Sequence, residues 1–134
     1  MKRRSLLSFL FLLAICFSAC ESDNAKQNGG DEYYVKYEVN SSTIYVGGKL
    51  NVTINTEKNE NTTIVINTRT PWETVIGPVR KGFNATLKVE ALSSSVSLYT
   101  QISISKNGSP FALKKIDGSD THRQSVQINY TIDY

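Results

Sequence analysis

The sequence predicts an all-β fold, and three observations support this prediction. Apolar and polar residues alternate in several segments after residue 32, and a period of two places successive side chains on opposite faces of a strand. These segments are rich in Val, Ile, Thr and Tyr, which suit a pleated, half-buried surface. Turn-forming residues separate the segments at regular intervals. We therefore expect an immunoglobulin-like antiparallel β-sandwich of about seven strands, with a small barrel as the alternative.

Each predicted strand has one apolar face. In chain order, these faces are formed by Tyr33, Val35, Tyr37 and Val39; by Leu50, Val52 and Ile54; by Phe83, Ala85, Leu87, Val89 and Ala91; by Val96, Leu98, Ile102 and Ile104; and by Val126, Ile128, Tyr130, Ile132 and Tyr134. Segments 63–70 and 111–116 complete the set. One apolar and one polar face, repeated in this way, indicate antiparallel sheets that share a core.

Turn signals lie between these strands. Asn107-Gly108 accepts the positive φ angles of a tight hairpin turn, and residues 58–61 form a second polar turn. Asp117-Gly118-Ser119-Asp120 predicts a loop before the last strand. Pro71 and Pro78 cannot donate to a β-ladder, so we expect residues 71–78 to form a loop or a crossover between the sheets.

The N-terminal segment has the layout of a secretory signal peptide. Lys2, Arg3 and Arg4 precede the apolar residues 6–17, and the small residues Ser18 and Ala19 follow. The apolar run is shorter than the ~20 residues that a membrane-spanning helix needs. We therefore expect residues 1–19 to be removed by cleavage between Ala19 and Cys20.

Phe17-Ser18-Ala19-Cys20 resembles the lipoprotein box of bacteria. The resemblance implies that Cys20 receives lipid, including acyl chains such as palmitate, and becomes the new N-terminus. Each buried methylene contributes ~0.8 kcal/mol, and one chain alone holds weakly, so several chains are needed for a stable anchor. The implied location is the cell envelope, at the outer membrane of a Gram-negative bacterium, on its periplasmic or its surface face.

Residues 20–32 carry the lipid and link it to the folded domain. Residues 21–32 contain no large apolar side chain, which predicts a disordered, flexible tether. A tether of this length extends about 20 Å on average. Residues 33–134 then form a single β-sandwich domain.

Charge and cysteine content exclude several classes of function. The chain has 15 basic and 12 acidic residues, and loss of the three basic residues of the signal peptide leaves 12 of each. A mature net charge of zero argues against nucleic-acid binding. Cys16 leaves with the signal peptide and Cys20 is used for the lipid, so no thiol remains for a disulfide, a metal site or a nucleophile.

The sequence gives little support to catalysis or metal binding. His122 is the single histidine, whereas a hydrolase triad or a zinc site needs several converging groups. Residues 117–120 lack the further carboxylates of a calcium loop. Sheet pairing can unite distant carboxylates for glycoside hydrolysis, and Glu38, Glu73 and Glu90 are the candidates on that reading. We expect no enzyme activity, no cofactor and no metal.

Several short motifs occur in a recognisable order: Tyr37-Glu38-Val39, Asn51-Val52-Thr53-Ile54, Pro71-Trp72, residues 83–89 and residues 102–108. Their order resembles the MmpS-like domain, a small all-β module of the cell envelope. In mycobacteria such proteins are accessories to lipid-exporting membrane transporters. The resemblance implies the same fold over residues 33–134. The Tyr- and Asn-rich body and the lipoprotein box also resemble small lipoproteins of Bacteroidetes.

Two functions follow as expectations. The first is a lipid-anchored, non-catalytic envelope module that acts by protein–protein contact, as an accessory to a membrane transport complex. The second is a surface lipoprotein that binds a glycan or another small ligand through Trp72, Tyr45 and Tyr99. An exposed Trp72 side chain could stack on a sugar, whereas a buried one would close the end of the sandwich. The burial of Trp72 therefore distinguishes the ligand-binding role from the structural one.

Overall fold

The computed structural model describes residues 29–42 and 47–134, which form two separate four-stranded antiparallel sheets. The strands are β1 (Tyr33–Asn40), β2 (Lys49–Asn55), β3 (Asn61–Asn67), β4 (Trp72–Val79), β5 (Asn84–Ala91), β6 (Val96–Lys106), β7 (Ala112–Arg123) and β8 (Ser125–Thr131). Sheet A has the order β4-β1-β6-β7, and sheet B has the order β3-β2-β5-β8. The predicted all-β sandwich is confirmed, with eight strands instead of about seven. In the described part of the chain, no helix has the length and apolarity of a membrane span.

The additional strand is β4, so the prediction of a loop was wrong for residues 72–78. Pro71 lies in the connection by which the chain crosses from β3 in sheet B to β4 in sheet A, as the alternative prediction of a crossover has it. β4 pairs with β1 and forms an edge of sheet A. Because an edge strand hydrogen-bonds on one side only, it tolerates a proline that a central strand excludes. Pro78 lies opposite a register shift between Tyr33 and Val35, and the Gly77–Pro78 peptide bond is cis.

The loop predicted for residues 117–120 was also wrong, because these residues belong to β7. Asp117 is paired with Thr100, and Ser119 is paired with Leu98 of β6. His122, which the sequence places in the same loop, lies in β7 as well. Ladder pairing with β6 keeps the backbone extended and overrides the local preference of Asp, Gly and Ser for turns.

The predicted apolar faces form the core between the sheets. The most completely buried large side chains include Tyr33, Tyr37, Leu50, Leu87, Leu98, Ile102 and Ile104. Each large apolar side chain that is buried contributes ~1.5–3 kcal/mol. Phe83 and Tyr130 are half-buried against this core, and Tyr134 is exposed.

β6 departs from simple alternation because several of its outward-facing side chains are buried as well as the inward-facing ones. Ser97 and Ser103, expected on the polar face, are buried together with Ser105. The Ser97 hydroxyl lies 2.7 Å from that of Ser42, and the Ser105 hydroxyl donates to the carbonyl of Ser109. Hydrogen bonding of this kind offsets the cost of removing a hydroxyl from water.

The hairpin turn predicted at Asn107-Gly108 is confirmed. Asn107 and Gly108 connect β6 to β7 with φ angles of 51° and 77°. Two consecutive positive φ values match the right-handed twist of the flanking strands, and Asn-Gly adopts them at little cost.

The N-terminal entry to the domain is held at the same end of the sandwich as this turn. Lys106 Nζ lies 2.7 Å from an oxygen of Asp31, and the side chain of Asn107 accepts from the backbone N–H of Glu32 at 2.8 Å. The Arg80 guanidinium donates to the carbonyl of Gly30 at 2.7 Å. We call this the entry end, and the opposite end, where β1 finishes at Asn40, the far end.

A buried polar network joins the two sheets. The Tyr37 hydroxyl in sheet A donates to Asn55 Oδ1 in sheet B at 2.8 Å. Asn55 Oδ1 also accepts from the backbone N–H of Thr86 at 2.8 Å, and Asn55 Nδ2 donates to the carbonyl of Asn84 at 2.7 Å. Burial raises the pKa of the Tyr37 phenol above its ordinary value of 10.0 because the phenolate would lose its hydration.

Tyr37→Phe is expected to reduce the loss of stability at alkaline pH. With a raised folded-state pKa, the unfolded chain releases the phenol proton first, so the free energy of unfolding falls as the pH rises above ~10. The variant lacks this titration, although it loses ~1 kcal/mol at neutral pH with the hydrogen bond. Urea denaturation at neutral pH and above ~pH 10 measures both effects. An equally steep alkaline decline in the variant would contradict the assignment.

Candidate functional site

Sheet A carries a cleft on its outer face near the far end. The cleft has a volume of about 350 Å³, which lies at the lower end of the ~300–1,000 Å³ typical of small-molecule sites. Its lining includes Glu38, Asn40, Trp72, Glu73, Tyr99 and Gln101. Two of the three predicted contact residues, Trp72 and Tyr99, are therefore brought to one place.

Strand register explains why these side chains converge. The odd-numbered residues of β1 face the core, so Glu38 and Asn40 face outward. Glu38 is directly opposite Glu73 of β4 on one side and Gln101 of β6 on the other. Asn40 is opposite Tyr99. Three strands thus contribute polar side chains to one surface, at positions far apart in sequence.

Trp72 contributes to both the core and the cleft. It is paired with the inward-facing Val39 and packs, half-buried, against the core. It also lines the cleft at the start of edge strand β4. The indole is therefore neither fully buried nor fully exposed, and its role as a ligand platform stays a prediction.

The Tyr99 ring lies across Gly118 of β7. A Cβ atom at position 118 would lie 2.5 Å from Cδ1 of the ring, so glycine is what allows the ring to lie there. The Tyr99 hydroxyl donates to the Asp120 carboxylate. This hydrogen bond raises the pKa of the Tyr99 phenol, because the phenolate would face the negative carboxylate.

One lysine stabilises the two opposed carboxylates of the cleft. Lys36 Nζ lies 3.1 Å from Oε2 of Glu38 and 4.0 Å from Oε2 of Glu73. Like charges directly across two strands repel each other, and the shared ammonium group offsets this repulsion. The Glu38 side chain is 30% exposed and that of Glu73 is 69% exposed, so water reaches both. Glu90, the third candidate carboxylate, pairs with Lys88 at 2.8 Å on β5 of sheet B, away from the cleft.

The outer face of sheet A also exposes apolar side chains, whereas that of sheet B is mainly polar. Val75, Phe111, Leu113 and Ile116 are 41–53% exposed, and we call these four residues the outer apolar patch. Val75, Lys36, Ser103 and Leu113 form one row across the four strands. Lys36 Nζ lies 5.7 Å from the centre of the Phe111 ring. On the strands of sheet B, the large exposed apolar side chain is Val65.

Several predicted residues lie outside the described part of the chain. Ala19 and Cys20 fall within residues 1–28, and Tyr45 falls within residues 43–46. Among residues 29–42 and 47–134, no group of three or more His, Cys, Asp or Glu side chains is arranged to hold a metal ion.

No protein-family model matches the chain, and no curated protein is similar to it. The MmpS-like resemblance therefore stays a prediction, and functional interpretation depends on the geometry described above.

Proposed function

We propose that this protein is a lipid-anchored, non-catalytic module of the cell envelope that acts by contact with a partner protein. The observation that carries the proposal is the difference between the two outer faces. Sheet A exposes the outer apolar patch, while sheet B presents Asn, Thr, Gln and Lys side chains around a single exposed valine. Several exposed apolar side chains on one face of a small domain are typical of an interaction surface, and here Leu113 and Ile116 lie together on β7 while Val75 lies on β4.

The patch favours a partner of defined chemistry. Lys36 and the buried Ser103 lie between Val75 and Leu113 in the row across the sheet, so the partner would present an apolar surface with a hydrogen-bond acceptor opposite Lys36. β7 adds an edge strand with Leu113 and Ile116 on its outward face. The proposed partners include a membrane transport complex, which is the class that the MmpS-like resemblance implies.

The proposed anchor attaches to the domain at its entry end. The tether enters beside Asp31 and Tyr33 at the entry end. With a rise of ~3.3 Å per residue, the eight residues of β1 separate this end from Asn40 by ~23 Å. The far end of sheet A is therefore directed away from the membrane surface when the tether holds the domain upright.

The open cleft supports binding over catalysis. A glycosidase needs one carboxyl group held protonated in an apolar environment next to a second that stays ionised. Glu38 and Glu73 are both solvent-accessible and share one lysine. Neither carboxylate lies in the enclosed apolar environment that such a pair requires.

Site-specific photo-crosslinking in intact cells tests the proposal. A photoreactive residue at Leu113 or Ile116 is expected to form a discrete adduct with an envelope protein. The matched control is the same residue at Val65, which is as exposed as these positions but lies on sheet B. Leu113→Ser, Ile116→Ser and Val65→Ser test the same contrast by co-purification. Adducts of equal yield from both sheets, or from neither, would overturn the proposal.

A further inference from the structure

The cleft on sheet A has a chemical character different from that of the outer apolar patch. Its polar groups are two carboxylates, two side-chain amides and a phenol, and its aromatic residues are Trp72 and Tyr99. We propose that it binds a neutral saccharide, with about one sugar ring inside the cleft. This inference does not depend on the protein contact proposed above.

The charges of the cleft disfavour anionic, purely apolar and cationic ligands. Glu38 and Glu73 repel phosphate, sulfate and carboxylate groups, and Lys36 lies with them as their counter-ion. A purely apolar ligand would remove these carboxylates from water without replacing their hydrogen bonds. The lysine already neutralises part of the negative charge, so a cationic ligand would have to compete with it.

A sugar ring matches the groups that remain. Its hydroxyls donate to the carboxylate oxygens of Glu38 and Glu73 and to the amide oxygens, and they accept from the amide N–H groups of Asn40 and Gln101. Its C–H faces pack against aromatic rings. Within residues 29–42 and 47–134, the side chain of Asn40 accepts from the N–H of Ser41, and its amide hydrogens remain for a ligand.

Gln101 provides the most specific polar contact. It lies on β6, at the side of the cleft nearest β7, where it is paired with Glu38 of β1 and Ile116 of β7, and it is half-buried. The described part of the chain gives its side-chain amide no hydrogen-bond partner. A half-buried amide with both donor and acceptor capacity is suited to a ligand hydroxyl.

Trp72 makes the inference directly measurable, because it is the only tryptophan of the chain and lines the cleft. The full-length protein would be purified in a detergent without a sugar headgroup. Its tryptophan fluorescence would be titrated with cellobiose, maltose, mannobiose and di-N-acetylchitobiose. Digalacturonic acid serves as an anionic probe and choline as a cationic one. At least one neutral disaccharide is expected to shift the emission saturably, with neither charged probe doing so.

Matched variants link the signal to the cleft. Glu38→Gln and Gln101→Ala are each expected to weaken binding by about tenfold, the effect of losing one hydrogen bond to the ligand. Glu90→Gln is the control, because Glu90 pairs with Lys88 two residues away on its strand, as Glu38 does with Lys36. Gln127→Ala, on the outer face of sheet B, is the control for Gln101→Ala.

Three outcomes would overturn the inference. One is the absence of a saturable response to any of the neutral disaccharides. Another is a response to choline or digalacturonic acid alone. The third is equal affinity for a neutral disaccharide in the cleft variants and their controls, while all variants keep the wild-type urea midpoint.

Discussion

Replacing Asn55 with alanine is expected to lower the free energy of unfolding by about 3–5 kcal/mol. The Asn55 side chain is 7% exposed and satisfies three groups at once. It accepts from the Tyr37 hydroxyl and the Thr86 N–H, and it donates to the Asn84 carbonyl. Alanine would remove the partner of the Thr86 N–H and of the Asn84 carbonyl, and it would leave the Tyr37 hydroxyl with only the backbone carbonyl of residue 55, 3.3 Å away. Each unsatisfied buried group costs ~1–3 kcal/mol.

The urea midpoint of the purified protein measures this effect, with an unchanged slope indicating that the folded state is retained. Asn129→Ala is the matched control, because Asn129 lies on β8 with its side chain exposed. Its effect is expected to stay within about 0.5 kcal/mol. A loss below ~1 kcal/mol for Asn55→Ala would show that the network does not hold the sheets together.

Cys20→Ser is expected to abolish membrane anchoring. A serine hydroxyl does not replace the thiol that the lipoprotein box supplies for lipid attachment, so the variant would persist as uncleaved or mislocalised precursor. Every acyl methylene removed deletes ~0.8 kcal/mol of membrane affinity, so loss of several chains removes the anchor altogether. Fractionation of cells into membrane and soluble material, with immunoblotting for precursor size, measures the result.

Cys16→Ser is the matched control for this change. Cys16 lies within the apolar part of the predicted signal peptide, four residues before the cleavage site, and we expect its replacement to leave processing and anchoring intact. Release of a normally processed, soluble protein by Cys20→Ser would contradict the lipoprotein assignment. So would equal effects of both substitutions.

Periodicity predicted the core well because a sandwich buries one face of each strand. Val35, Val52, Leu87 and Ile102 alternate with polar residues in sequence, and all four are buried. The Asn107-Gly108 turn was predictable because the positive φ angles it requires are a local property of that dipeptide. These features depend on neighbours in sequence.

The errors arose where pairing between distant strands decides the structure. Pro71 and Pro78 indicated a loop, yet an edge strand needs hydrogen bonds on one side only, so β4 forms there. The residues 117–120 indicated a turn, yet β6 holds them in a ladder, and Gly118 leaves room for the Tyr99 ring. Local turn propensity gives no information about such partners.

The cleft was predictable only in part for the same reason. Trp72 and Tyr99 were identified by their aromatic side chains, and Glu38 and Glu73 appeared only as candidate carboxylates for glycoside hydrolysis. Asn40 and Gln101 were missed. The alternation along β1 identifies Asn40 as an outward-facing residue. That Gln101 lies beside Glu38 and Asn40 depends on the register of β1 with β6, because Gln101 is at least 61 residues away from β1 in sequence.

We propose that a lipid on Cys20 holds this sandwich at an envelope surface, where the domain acts by contact with a partner protein. Intact-mass and peptide mass spectrometry of the protein isolated from its own membranes tests this claim most directly. We expect a mature chain that begins at Cys20 and carries diacylglycerol on the sulfur. A chain that retains residues 1–19, or that carries an unmodified Cys20 thiol, would contradict it.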